Sequence, residues 1–241
     1  MHNAGDCGKD AMNKDTDSET PDVLTGTPTY DQHEYCLDLF VRSIDELEYS
    51  NYSVLLVDNS NGGAYEKRIR ERGLPVVGCK PAQSMRERMT CARKLLRSVT
   101  LIGGYDYLLF VDQDVLLPRD AINSLLRWNK PIMSGIYTKR AMGREWAFIK
   151  RRPWDVEEAN CERARVAGAG VGSQISVTEI SELAQQGLIQ IHGCGYGCLL
   201  IATEVLHRVY CRYIPNMAAL LSVSTRENAR KLVRSPANLE R

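Results

Sequence analysis

The sequence predicts an α/β fold, a mainly parallel sheet flanked by helices. Three observations carry that expectation. Apolar, β-branched and aromatic runs at DVLTGT, YSVLLV and YLLFV have the pattern of strands buried on both faces. Segments of helical periodicity lie between them, as βαβ units require. The three runs close on polar clusters, Thr27-Pro28-Thr29-Tyr30, Asp58-Asn59-Ser60 and Asp112-Gln113-Asp114, and open parallel sheets bind ligands outside such carboxyl ends.

Taken in order, residues 1–21 are polar and acidic without apolar periodicity and read as a disordered tail. Asp22 to Thr27 is the first strand, closed by Pro28. Asp31 is placed to cap the next helix, in which Tyr35, Leu39, Ser43, Ile44 and Leu47 recur at helical spacing. Tyr52 to Val57 is the second strand, ending in the turn cluster that runs to Gly62-Gly63. A short charged helix from Ala64 to Arg72 stops at Gly73, and Pro75 to Cys79 is the third strand. Gln83 to Val99 is an amphipathic helix, with Met85, Met89, Ala92, Leu95, Leu96 and Val99 on its apolar face. Its polar face carries Arg86, Arg88, Arg93, Lys94 and Arg97.

Tyr107 to Val111 follows as a fourth strand, and Pro118 opens a helix to about Trp128, because a proline costs nothing at a first helical position. Pro131 to Tyr137 and Glu145 to Lys150 read as strands, and 153–173 as a long functional loop. Ser176 and Glu179 have capping-box spacing for a helix to Gln186. Leu188 to His192 reads as a strand. After the glycine-containing segment Gly193 to Cys198, Leu199 to Ala202 continues the apolar path and Thr203 starts a last core helix. Ser224 and Glu227 are spaced to cap a terminal helix. The expected organisation is one domain over 22–223, preceded by the tail and followed by a polar helix or tail over 224–241.

With 241 residues the chain is long enough for a substantial core. A net charge of +1 gives no bulk electrostatic case for nucleic acid as a partner. No apolar run reaches the roughly 20 residues of a membrane span, and the polar N-terminus lacks the apolar core of a secretory signal, so a cytoplasmic location is expected. The eight cysteines are scattered, and Cys194 and Cys198 are the only close pair, so reduced thiols are the expectation.

Chemistry concentrates at Asp112-Gln113-Asp114. Side chains at i and i+2 of an extended segment point the same way, and two carboxylates at the end of a buried strand need positive compensation. A divalent cation such as Mg²⁺ bound to a phosphorylated ligand would supply it; the alternative is a solvated turn with two surface aspartates. His192 is a candidate third ligand or a packing residue. The glycines at Gly193, Gly195 and Gly197 do not follow the dinucleotide pattern, and Gly168 to Ser173 lacks the lysine of a P-loop.

The stretches TPTYDQHEYCLDLFVRSIDEL, YSVLLVDNSNGG and YDYLLFVDQDVLLPRDAINSLL, followed by SGIYTKR and IHGCGYGCLLIATEVLHRV, resemble a family 2-type glycosyltransferase of the GT-A fold over about residues 22–209. The resemblance implies transfer of a sugar from a nucleotide-diphosphate donor, a UDP-sugar more often than a GDP-sugar, to a hydroxyl acceptor on a saccharide, lipid or protein. It places Pro28, Thr29 and Tyr30 along the nucleotide and Asp58 on the base. Asp112 and Asp114 match the family's Asp-X-Asp motif, which holds Mn²⁺ or Mg²⁺. Arg86 would stand near the diphosphate, the alternative being a solvated helical face. Gly193 and Gly195 would allow backbone approach to the sugar or acceptor.

The pattern departs in one respect. Inverting members carry an acidic base after the glycine-containing segment. Here the chain after Val209 reads YCRYIPNMAALLSVSTRENARKLVRSPANLER, with no acidic pair. No catalytic base is assigned; Asp155, Glu157 and Glu158 are the remaining candidates. Two other readings stay open: a nucleotide-sugar-binding protein with little or no transfer, and a sugar nucleotidyltransferase.

Overall fold

The computed structural model describes residues 20–79, 84–137, 148–149, 187–188, 190–191, 193–208 and 225–234. The expectations for the acidic tail before Thr20, the long loop, the Ser176 helix, His192, the candidate bases Asp155, Glu157 and Glu158, and Ser224 lie outside these residues.

Four strands are parallel: β1 (Val23–Thr29), β2 (Tyr52–Asp58), β3 (Val76–Gly78) and β4 (Tyr107–Val111). β5 (Ile132–Ser134) lies at the sheet edge, while β6 (Phe148–Ile149) and β7 (Gly193–Cys194) form a separate two-stranded sheet. β8 (Cys198–Ala202) inserts antiparallel between β4 and β5, so the main sheet runs β3-β2-β1-β4-β8-β5. The α/β expectation holds, with one antiparallel strand in the sheet.

Each long strand sends alternate side chains to opposite faces, as a period of two requires. Val54, Leu56, Leu109 and Val111 enter one apolar layer with α1 (Leu37–Asp45), α2 (Ala64–Glu71) and α4 (Ala121–Leu126). Leu55, Val57, Leu108 and Phe110 enter the other, under α3 (Met85–Gly103), α5 (Thr203–Arg208) and α6 (Arg226–Lys231). Burying each such side chain contributes about 1.5–3 kcal/mol, so both faces of β2 and β4 are anchored. Gly26 lets α3 close on β1, because a Cβ there would lie 2.9 Å from a Leu96 methyl.

Local details differ from the sequence expectations. A 3-10 turn (Asp31–Cys36) precedes α1, and Asp31 is not its cap; its N–H donates to Ser60 Oγ at 2.8 Å. Leu37, Phe40 and Ile44 form the buried stripe, while Tyr35 and Leu39 are more than half exposed. The 3-10 start shifts the angular register at the beginning of the helix, so Tyr35 and Leu39 turn outward, while Ser43, Ile44 and Leu47 of the expected face are buried. α3 has a capping box, with Ser84 and Glu87 bonding each other's backbone N–H, and Met85, just inside it, is exposed rather than core. α6 is capped by Thr225, whose hydroxyl accepts from Asn228 N at 3.2 Å. It packs on α3, with Arg230 donating to Gly103 O at 2.8 Å and paired with Asp22.

Cys79 and Cys91 form a disulfide, against the expectation of reduced thiols. The physical reason is proximity: the end of β3 and the second turn of α3 bring the two together across twelve residues of sequence. Cys36, Cys194 and Cys198 are not disulfide-bonded. No helix among the described residues is long and apolar enough to cross a membrane.

Candidate functional site

The chain runs outward from β1 to β2 and β3, then crosses back to lay β4 on the other side of β1. This reversal opens a crevice at the carboxyl ends of β1 and β4, the place where open α/β sheets bind ligands. Three polar loops meet there. Thr29 and Asp58, the last residues of β1 and β2, are in register, and β4 delivers Asp112 one residue beyond Val111.

Asp58 is buried, and its Oδ1 accepts from Ser60 N at 2.9 Å and Ser60 Oγ at 2.5 Å. Burial pushes the carboxyl above its ordinary pKa, and the two Ser60 bonds pull it back. Because Ser60 Oγ also receives the Asp31 N–H, the loops after β1 and β2 are tied together. Asn59, also buried, donates its backbone N–H to Thr29 O at 2.9 Å. Its side-chain Oδ1 meets no donor among the described residues. An unsatisfied buried acceptor costs about 1–3 kcal/mol, which a ligand N–H would relieve.

Asp112 is half-buried and Asp114 is exposed. The backbone is turned sharply here: Asp112 N donates to Gly197 O at 3.1 Å, and Asp112 O accepts from Val115 N at 2.9 Å. Burial pushes the Asp112 carboxyl up, the Arg93 charge pulls it down, Asp114 pushes it up again and His33 pulls it down. The two aspartates therefore feel each other's charge, with Arg93 facing the inner one. Arg93 is held by stacking, its guanidinium carbon 4.0 Å from the centre of the Tyr196 ring. Tyr196 in turn meets Phe110 edge-on at 5.3 Å.

Of the residues singled out from sequence, Thr29, Tyr30, Asp58, Asp112 and Asp114 come together at this sheet end. Pro28 and Thr29 are buried within β1, and the Thr29 hydroxyl is engaged by Gln113. Tyr30 is half-buried, its ring 4.4 Å from that of His33. Arg86 lies exposed on the first turn of α3. Gly193 pairs with Ile149 in the small sheet, and Gly195 lies between β7 and β8. Within the protein a close approach falls at Gly197. A Cβ there would lie 2.5 Å from the Tyr137 ring, and Gly197 N donates to the Tyr137 hydroxyl at 2.7 Å. Burial raises that hydroxyl's pKa to about 12, so it stays protonated.

Two residues that sequence reasoning did not single out belong to the site. Arg93 was one of five cations on a helix face; its spacing of seven from Arg86 puts both on one side of α3 and was the available signal. Asn59 was visible only as part of a turn cluster. Next to Arg93, Phe110 and Tyr196 lies a cavity of about 1300 Å³, which extends along β8 and β5 to Trp128 and Met133.

Asp112 and Asp114 offer hard oxygen donors at an open strand end. That donor set fits Mg²⁺ or Mn²⁺ completed by phosphate oxygens, with Arg93 as a second positive group.

No family model and no curated protein matches the chain. Among solved structures, it is similar to the mannosyltransferase PcManGT from Pyrobaculum calidifontis in complex with GDP-Man and Mn²⁺, at 17% identity and TM-score 0.44 over 89% of this chain and 52% of that one. A 4-diphosphocytidyl-2C-methyl-D-erythritol synthase matches at 16% identity and TM-score 0.43, over 89% of this chain and 87% of its own. S. aureus TarS in complex with UDP-GlcNAc matches at 16% identity and TM-score 0.37, over 54% of this chain and 38% of that one. The chain thus spans about half the length of the mannosyltransferase. These are likenesses of general chain path.

Proposed function

We propose that the protein is a metal-dependent glycosyltransferase of the family 2 type, taking a sugar from a nucleotide-diphosphate donor to a hydroxyl acceptor. A UDP-sugar is the favoured donor, with a GDP-sugar as the competitor. The observation that carries the reading is the meeting of Asp112, Asp114 and Arg93 with the buried Asp58–Asn59 pair at one sheet end. This places groups suited to a charged diphosphate beside groups suited to the edge of a base.

In this reading Asp58 and Asn59 hold the base. Asn59 Oδ1 accepts a base N–H, and Asp58 keeps the loop in shape through Ser60. Tyr30, beside His33, flanks the nucleoside. Asp112 and Asp114 would hold the cation, which as a Lewis acid stabilises the negative charge that builds on the departing diphosphate. Arg93 adds a planar fork of N–H donors on the same oxygens and, through its stack on Tyr196, needs little ordering on binding. Arg86 stands further out on the same helix face as an entry contact for the donor. The cavity along β8 and β5 opens beside Arg93 and would receive the acceptor. The family resemblance supports inversion at the transferred carbon.

Calorimetric titration of UDP and GDP, with and without Mn²⁺, tests donor binding, and a panel of nucleotide sugars tests hydrolysis or transfer. UDP binding that strengthens with Mn²⁺ together with donor turnover is the expected result. Mn²⁺-dependent binding without turnover of any donor would favour a nucleotide-sugar-binding protein. Unchanged binding in the Asp112→Asn and Asp114→Asn variants would overturn the metal assignment.

A further inference from the structure

The middle residue of the Asp112-Gln113-Asp114 turn looks like a spacer in the sequence, yet its side chain is fully buried. The turn closed by the Val115 N–H on Asp112 O explains the contrast: it aims Gln113 inward, between the half-buried Asp112 and the exposed Asp114. Inside, its amide meets three separate elements. Oε1 takes the Thr29 hydroxyl at the end of β1, and lies 3.0 Å from the Tyr65 hydroxyl on the first turn of α2. Nε2 is 2.8 Å from that same hydroxyl and donates to His33 O, in the 3-10 turn, at 3.1 Å. The Gln113 carbonyl receives the Cys36 thiol at 3.5 Å.

Thr29 is the register partner of Asp58, and Tyr65 begins the helix that follows the Asp58 loop. One amide therefore links the cluster proposed to hold the base to the cluster proposed to hold the cation. The chemistry restricts what can stand there. An amide donates and accepts at once, whereas a carboxylate would face the His33 carbonyl without a proton to give. An apolar residue would leave the Thr29 and Tyr65 hydroxyls only their long 3.5 Å contact with each other and the His33 carbonyl only the Cys36 thiol.

We propose that Gln113 is a positioning residue that fixes the turn carrying Asp112 and Asp114 and registers it against the Asp58 loop. The proposal rests on the reading of the two aspartates as the cation-holding pair. Gln113 touches neither donor nor metal; it acts by holding the two carboxylates in one geometry.

The test compares UDP affinity with and without saturating Mn²⁺ in the full chain, for the wild type, Asp112→Asn and Gln113→Leu. In Gln113→Leu the Mn²⁺-dependent strengthening of binding falls by about tenfold or more, the scale of losing an outer-shell partner of a metal ligand. Its metal-free affinity for UDP stays within about twofold. A residue that only filled space would lower the melting temperature and leave the Mn²⁺ response intact. Should Gln113→Leu fail to fold, Tyr65→Phe removes a single hydroxyl from the network, and a reduction of about threefold in the Mn²⁺ response is expected.

A folded Gln113→Leu, or in its place Tyr65→Phe, with the wild-type Mn²⁺ response would overturn the positioning role alone, provided Asp112→Asn abolishes that response. A wild type whose UDP binding ignores Mn²⁺ would overturn the cation site and the positioning role together.

Discussion

Asp58 and Asp112 stand at the carboxyl ends of β2 and β4, separated by β1, and are held in opposite ways. Asp58 is buried and turned onto its own loop, where Ser60 gives it two hydrogen bonds. Asp112 is half-buried and set among charges, with Arg93 favouring its ionised form and Asp114 opposing it. Burial raises both carboxyl pKa values, but only Asp58 is pulled back by hydrogen bonds. The contrast teaches a division of labour: a carboxylate satisfied within its loop shapes a binding surface, while one left among charges is poised to take a cation from outside.

The largest expected effect separates the two. Asp112→Asn should weaken UDP binding in Mn²⁺ by about 100-fold, the equivalent of roughly 3 kcal/mol for a lost charged contact, and leave metal-free binding nearly untouched. Calorimetry with and without the ion reads both values. Asn59→Ala probes the other cluster. It should weaken UDP binding about tenfold, by the same factor in either condition, because it removes an acceptor for the base. Equal metal dependence in the two variants would break the division.

Arg93→Ala sharpens the Asp112 side. Arg93 is the main group lowering the Asp112 pKa, so its loss raises that pKa further. Mn²⁺-dependent binding disappears as pH falls through the pKa, and in Arg93→Ala it should disappear at a higher pH than in the wild type. A pH series of UDP titrations in Mn²⁺ measures the shift.

The smallest effect is on stability. With its folded pKa raised, Asp112 binds a proton more readily in the folded chain than in the unfolded one. Its ionisation therefore costs stability that is progressively lost as pH rises from the unfolded pKa through the folded one. Asp112→Asn should accordingly melt about 2–4 °C above the wild type at neutral pH, with the gap closing as pH falls toward the ordinary carboxylate range. A variant that melts lower at neutral pH would contradict this placement of Asp112.

The parallel half of the sheet was legible because β1, β2 and β4 are buried on both faces and read as unbroken apolar runs. β8 was legible as an apolar path but not in direction, since an apolar pentapeptide looks the same run either way; the antiparallel pairing with β4 is set by tertiary context. The start of the stripe on α1 was misplaced because a 3-10 turn precedes it: Tyr35 and Leu39 are exposed, while Ser43, Ile44 and Leu47 are buried as counted. In the site, Asp58, Asp112 and Asp114 stood out as charge at the ends of buried strands. Arg93 did not, because a helix face with five cations resembles a solvated one until Tyr196 is brought against it and its charge is felt at Asp112. Gln113 was hidden because the pair of aspartates was read as extended chain, whereas the residues form a turn that buries the one between them.

The most direct test of the account is the calorimetric affinity of the wild-type chain for UDP, measured in Mn²⁺ and again after the ion is removed with a chelator. The account predicts binding that is strong with the ion and markedly weaker without it. Equal affinity in the two conditions, or no binding in either, would contradict a donor site built on Asp112 and Asp114.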